Sequence, residues 1–123
     1  MEIKQGDLYW LQATGPDGSV ASYAHPYVVI QDDVINRSRV NTVVVCALTS
    51  NPKRATEPGN VLLEAGEGNL PKPSVVVVSQ VEAVAKTQLG EYIGTVSPQR
   101  IAQILAGMRF QQLSFFGRDH TRT

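Results

Sequence analysis

The chain alternates between short apolar runs and polar segments rich in Gly, Pro, Asn and Asp until about residue 96, and only then takes up a helical period. Gly6–Gln12 (GDLYWLQ), Pro26–Gln31 (PYVVIQ), Thr42–Ser50 (TVVVCALTS), Val61–Glu64, Ser74–Ser79 (SVVVVS, continuing towards Val84) and Glu91–Val96 have the β-branched and aromatic character of strands. The segments between them read as connections. They are Ala13–His25, with turn formers at Gly15-Pro16-Asp17 and Gly18, then Asp32–Val40, Asn51–Gly59 and Glu67–Pro73. Ser97-Pro98 supplies a helix N-cap followed by proline at the first helical position. Ile101, Ile104, Leu105 and Met108 then recur at the spacing of one helix face. Gly107 falls inside that helix, where it is worth roughly 1 kcal/mol less than Ala. Gly117 is a C-terminal stop, and 118–123 reads as a tail after a single domain over 1–117. Many short strands and one helix predict a mainly β protein, a small barrel with a C-terminal helix.

Composition narrows the function classes. The 123 residues hold 11 basic and 11 acidic side chains, a formal net charge of zero. A wholesale polyanion binder is strongly basic. The charges are uneven, however: residues 1–50 carry three basic and five acidic groups, and 51–123 carry eight and six. No apolar run reaches the ~18 residues of a membrane span, and MEIKQGDLYW lacks the apolar core of a signal peptide. One cysteine, Cys46, makes no internal disulfide, and with two distant histidines it offers no metal-ligand spacing. These features fit a cytoplasmic protein without metal or cofactor.

Several residues carry candidate chemistry. His25 precedes Pro26, which biases it to an extended conformation, and histidine exchanges protons near neutrality. Its ordinary role is a surface loop residue. His120 falls in the tail. Thr49 and Ser50 end a strand, where hydroxyls donate to phosphate or, more commonly, cap a turn. Arg37 and Arg39, and Lys53 and Arg54, form two basic pairs that matter only if their loops meet. Tyr9, Trp10, Tyr23 and Tyr27 have the rings to stack on bases, although Trp10 lies in an apolar strand and reads as core. Cys46, inside a valine-rich strand, reads as a buried small hydrophobe.

The segments GDLYWL, PYVVIQDD, INRSRVNTVVVCALTSN, PGNVLLEAGEGNLPKPSVVVVSQV and Gly94–Pro98, in this order, resemble the MazF/PemK (Kid) family of type II toxin–antitoxin toxins. The resemblance implies an SH3-like barrel of the CcdB/MazF/Kid type with a C-terminal helix, and a homodimer. It implies metal-independent cleavage of single-stranded RNA and a cognate antitoxin lying across the groove. It also marks a departure. Where the family has a glycine, a Glu-Gln pair, more glycine and Arg-Pro, this chain reads GSVASYAHP, Gly18–Pro26. The pair becomes Val20-Ala21, and the arginine becomes His25. The strand-end threonine is kept as Thr49. The family's Gln-(Ile/Val)-Arg reads Gln80-Val81-Glu82, and its Asp-Lys reads Ala85-Lys86. The expected catalytic set is therefore His25, Thr49 and Ser50, with Arg37, Arg39, Lys53, Arg54 and Gln80 touching RNA. A non-catalytic binding protein, a CcdB-like gyrase poison and a plain SH3-like interaction module are the competing readings.

Overall fold

The computed structural model describes residues 2–14 and 20–116; the expectations for Gly18, Gly117, His120 and the tail lie outside these. Six strands form one antiparallel sheet: β1 (Asp7–Thr14), β2 (Val20–Val29), β3 (Thr42–Thr49), β4 (Val61–Leu63), β5 (Ser74–Ala85) and β6 (Tyr92–Thr95). Their order across the sheet is β4-β5-β3-β2-β1-β6. A single turn of helix, α1 (Asp33–Asn36), sits in the β2–β3 connection, and α2 (Pro98–Phe116) follows β6. Asp32 caps α1 through its carboxylate, which accepts from the Val34 N–H at 2.8 Å. The mainly β architecture with a C-terminal helix is as the sequence pattern implies.

The strand runs look continuous rather than alternating because the central strands are buried on both faces. Leu8, Val28, Cys46, Leu48, Val76 and Val78 point into one cluster, which α2 covers with Ile104 and the partly buried Ile101 and Met108. Tyr9, Leu11, Tyr27, Val29, Val43, Val45 and Val84 point the other way into a second cluster with Ile3 and the partly buried Leu89. Leu105, assigned to the apolar helix face by its spacing, is 38% exposed. The register of the face is set instead by Ile104 and Gly107, the buried residues of α2.

Two devices curl the sheet. In β5, Val76 pairs with Leu48 and Val81 with Cys46, so five residue steps oppose two. Such an excess bends the strand. Asn60 Oδ1 accepts the Val78 N–H within the bend, and the Cys46 thiol donates to the Val77 carbonyl at 3.0 Å. The two edge strands are then linked by the β4–β5 connection. Asn69 Nδ2 donates to the Ile93 carbonyl, and the Gly68 carbonyl lies so close to Gly94 that a Cβ there would collide with it. Arg100 of α2 fastens the same connection through a two-pronged ion pair with Glu67, both bonds 2.9 Å.

One element boundary departs from the sequence reading. β1 continues to Thr14 and β2 begins at Val20, so His25 lies within a strand, opposite Leu11, rather than at the end of a long loop. The VASYAH segment lacks a β-branched run, and cross-strand pairing overrides that weak propensity.

Gly107 is required by packing. A methyl there would meet the backbone carbonyl of Gly59. Gly107→Ala is expected to lower stability by about 2 kcal/mol, because overpacking outweighs the gain in helix propensity; calorimetric Tm checks it. Cys46 is fully buried, and burial pushes its thiol up to about 12. The native protein is expected not to react with a thiol reagent at pH 8, and to release one equivalent on unfolding in guanidinium.

Candidate active-site groove

The site begins with a missing hydrogen. Trp10 donates its N–H to the Glu91 carbonyl at 3.0 Å and accepts from the Gly90 N–H at 2.8 Å, so both its backbone groups face away from β2. The Trp10–Pro26 pair is therefore a non-hydrogen-bonded one, and the nitrogen of Pro26 faces β3. It has no proton to give there. The β2–β3 ladder accordingly ends at Tyr27–Ala47.

Past that point a groove of about 250 Å³ opens. β1 contributes Trp10 to its lining; β2 contributes Ala24, His25 and Pro26; the end of β3 contributes Leu48 and Ser50. Pro71 and Lys72, with Ser74 at the start of β5, complete it. No carboxylate lines this groove.

The sequence-derived candidates fall into three groups. His25 and Ser50 meet at the groove. Thr49 is close to them in register: extended two residues past Tyr27–Ala47, the ladder would set His25 opposite Thr49. Thr49 Oγ1 accepts the Asn51 N–H at 3.3 Å, the turn-capping role of a strand-end hydroxyl. Lys53 and Arg54 follow directly in a 3₁₀ turn, Pro52–Thr56. Arg54 is committed to Glu57, with Nε 2.6 Å from the carboxylate, while Lys53 is exposed. Gln80 is exposed in the bend of β5. Arg37 and Arg39 lie before β3, more than about 20 Å from Ser50 by strand rise alone. Arg37 lines a different hollow with Asn36, Ser38 and Lys86, whose ammonium donates to the Asn36 carbonyl at 3.0 Å. The two basic pairs thus do not meet within one chain.

Trp10 and Lys72 are groove residues that the sequence reading did not single out for this role. Trp10 is half-buried rather than core. For Lys72 the signal was its setting between Pro71 and Pro73, which fixes the backbone on both sides.

On the opposite face, Tyr9 and Tyr92 pack edge to face at 5.6 Å. The buried Asp7 carboxylate accepts from the Thr95 hydroxyl at 2.8 Å, from the Lys4 N–H at 2.9 Å and from the Tyr9 hydroxyl. Among the described residues no group of three or more His, Cys, Asp or Glu is placed to hold a metal, and no helix is long and apolar enough to cross a membrane.

Comparison with known proteins agrees with this geometry. The model of the family of PemK-like, MazF-like toxins of type II toxin–antitoxin systems matches residues 4–111. The chain belongs to this family. The endoribonuclease MazF6 of Mycobacterium tuberculosis is 37% identical over 109 residues, 89% of this chain and 96% of that protein. A solved endoribonuclease from a mycobacterial species superposes with a TM-score of 0.71 at 20% identity, covering 91% of this chain and 92% of the other. A mycobacterial endoribonuclease solved with its cognate antitoxin gives 0.69 at 19%, covering 90% and 93%. At these identities the two structures show the fold, in which the MazF-type barrel and its C-terminal helix are shared.

The Asp7 cluster gives a pH prediction. Burial first, then the charge of Asp7, raises the Tyr9 phenol to about 12 from an ordinary 10. The folded value lies above the unfolded one, so the stabilisation is whole below pH 10 and is lost as pH rises towards 12, by up to about 2–3 kcal/mol. Denaturant midpoints measured from pH 9 to 12 are expected to fall more steeply for the native chain than for Tyr9→Phe.

Proposed function

We propose that this chain is the toxin of a type II toxin–antitoxin pair and a metal-independent, sequence-selective endoribonuclease of the cytoplasm. The observation that carries it is the groove at the end of the β2–β3 ladder, where a proton-transfer group, a hydroxyl and an ammonium line one opening without a carboxylate. Family membership and the naming of the 37% identical relatives as endoribonucleases support the same reading.

The reaction is a transesterification within the RNA. His25 takes the proton of the ribose 2′-hydroxyl as the 2′-oxygen attacks phosphorus. The P–O5′ bond breaks, and the 5′-oxygen regains one proton from the imidazolium or from water. A 2′,3′-cyclic phosphate and a 5′-hydroxyl result, with no net change in protons. Ser50, and Thr49 beside it, donate hydrogen bonds to the phosphate. Proton transfer of this kind is worth ~10²–10⁴ in rate. Arg at this position would give fixed charge but little proton exchange; His25 shifts the site towards acid–base work. Trp10 offers a ring at the groove wall on which a base stacks. Arg37, Arg39, Lys53, Arg54 and Gln80 contact RNA outside the reacting phosphate. Because the basic pairs of one chain stand apart, a groove using both draws on two copies, in keeping with a homodimer. The cognate antitoxin covers this groove. The exposed Phe110, Leu113, Phe115 and Phe116 at the end of α2 add an apolar surface of the kind that a protein partner covers.

His25→Ala is expected to lose cleavage of RNA by at least about 10²-fold in EDTA while keeping the oligomeric state of the native protein. The checks are mapping of 5′ ends and size-exclusion chromatography. Full activity of the variant overturns the assignment. Binding without cleavage by the native chain would favour the non-catalytic reading, and trapped DNA–gyrase complexes the gyrase reading.

A further inference from the structure

We propose that Lys72 supplies the permanent positive charge at the reacting phosphate, a role that the His25 segment leaves open. The inference rests on the nuclease reading above. Attack by the 2′-oxygen builds negative charge on the non-bridging phosphate oxygens, and groups that hold this charge are placed in advance in efficient sites. His25 cannot serve as base and remain a fixed cation at the same moment. Another cation has to enter the groove.

Among the described residues lining it, Lys72 is the one lysine or arginine. The alternatives are engaged or remote. Arg54 is paired with Glu57, Arg100 with Glu67, and Arg37 lines a separate hollow. Lys72 is exposed and forms no ion pair among the described residues. Its charge is therefore available to an anionic ligand, and no acid in the groove competes for it.

The backbone that carries Lys72 is held in place. Pro71 and Pro73 fix their own φ and hold Leu70 and Lys72 in extended conformations. Leu70, at φ −64° and ψ 133°, is buried at 2% exposure, and Ser74 at 3%. The Ser74 hydroxyl donates back to the Lys72 carbonyl at 3.1 Å. Two buried anchors and two prolines thus frame one exposed lysine. Only its side chain has to be ordered on binding, so little of the interaction is lost to loop entropy. The ammonium donates a hydrogen bond to a non-bridging oxygen and keeps all its protons. Proton transfer stays with His25.

The test uses the native protein, Lys72→Met and Lys72→Arg with an RNA whose cut site has been mapped, in EDTA. Single-turnover cleavage is compared with binding of the same RNA carrying a 2′-deoxyribose at the cut, which cannot react. Lys72→Met is expected to slow cleavage about 10²-fold and to weaken binding of the uncleavable RNA less than about fivefold. Lys72→Arg, keeping the charge, is expected to recover much of the rate. Full-rate cleavage by Lys72→Met, or a rate loss matched by an equal loss of binding, overturns the role of Lys72 and leaves the nuclease reading standing. Absence of cleavage by the native protein overturns both.

Discussion

Pro26 denies β3 a hydrogen-bond donor, and the functional end of the molecule follows from that. A strand residue with an N–H at this point could extend the β2–β3 ladder towards His25 and Thr49, and side chains that now line a groove would face each other across paired backbone. The missing donor has to fall on the β3 side for this to work. Trp10 ensures that it does, by directing its own N–H and carbonyl to Glu91 and Gly90. Proline inside a strand normally marks an edge. Here it creates a local edge within a six-stranded sheet, and polar groups gather there.

The neutral total charge takes on a different meaning beside this geometry. Acidic side chains are as numerous as basic ones, but several do structural work away from the groove. Asp7 organises the Thr95 hydroxyl and the Lys4 N–H, Asp32 caps α1, and Asp33 accepts from the Gln5 N–H and from Asn36. Those last hydrogen bonds, the Gln5 N–H foremost, hold the Asp33 carboxyl below its usual range. Glu57 and Glu67 neutralise Arg54 and Arg100. A chain with no net charge can still present an unopposed cation where an anion would sit. The expected cost is weak long-range attraction: RNA is drawn less by the field of the whole protein than by contacts made once it is in place.

Most of the fold was legible because burial on both faces makes β1, β2 and β3 apolar throughout, and Ser97-Pro98 announces α2. The start of β2 was not legible, since its pairing with β1 depends on register rather than on side-chain type. The 3₁₀ turns and the bend of β5 were likewise hidden, because they answer to partners distant in sequence such as Asn60. Of the site, His25 and Ser50 could be named from the chain. Lys72 could not, for nothing local joins residue 72 to residue 25. They share a groove only through the curl of the sheet.

That curl also orders events during synthesis. The backbone of Trp10, on the groove wall, finds its outer partners only at Gly90 and Glu91, and Asp7 is bonded to a hydroxyl 88 residues further along. Contacts of such separation form late in folding. A nascent chain that has passed His25, Ser50 and Lys72 therefore holds the reactive side chains but not the wall that presents them. The groove is completed only as the last quarter of the protein leaves the ribosome, so a truncated product is harmless to the RNA that encodes it.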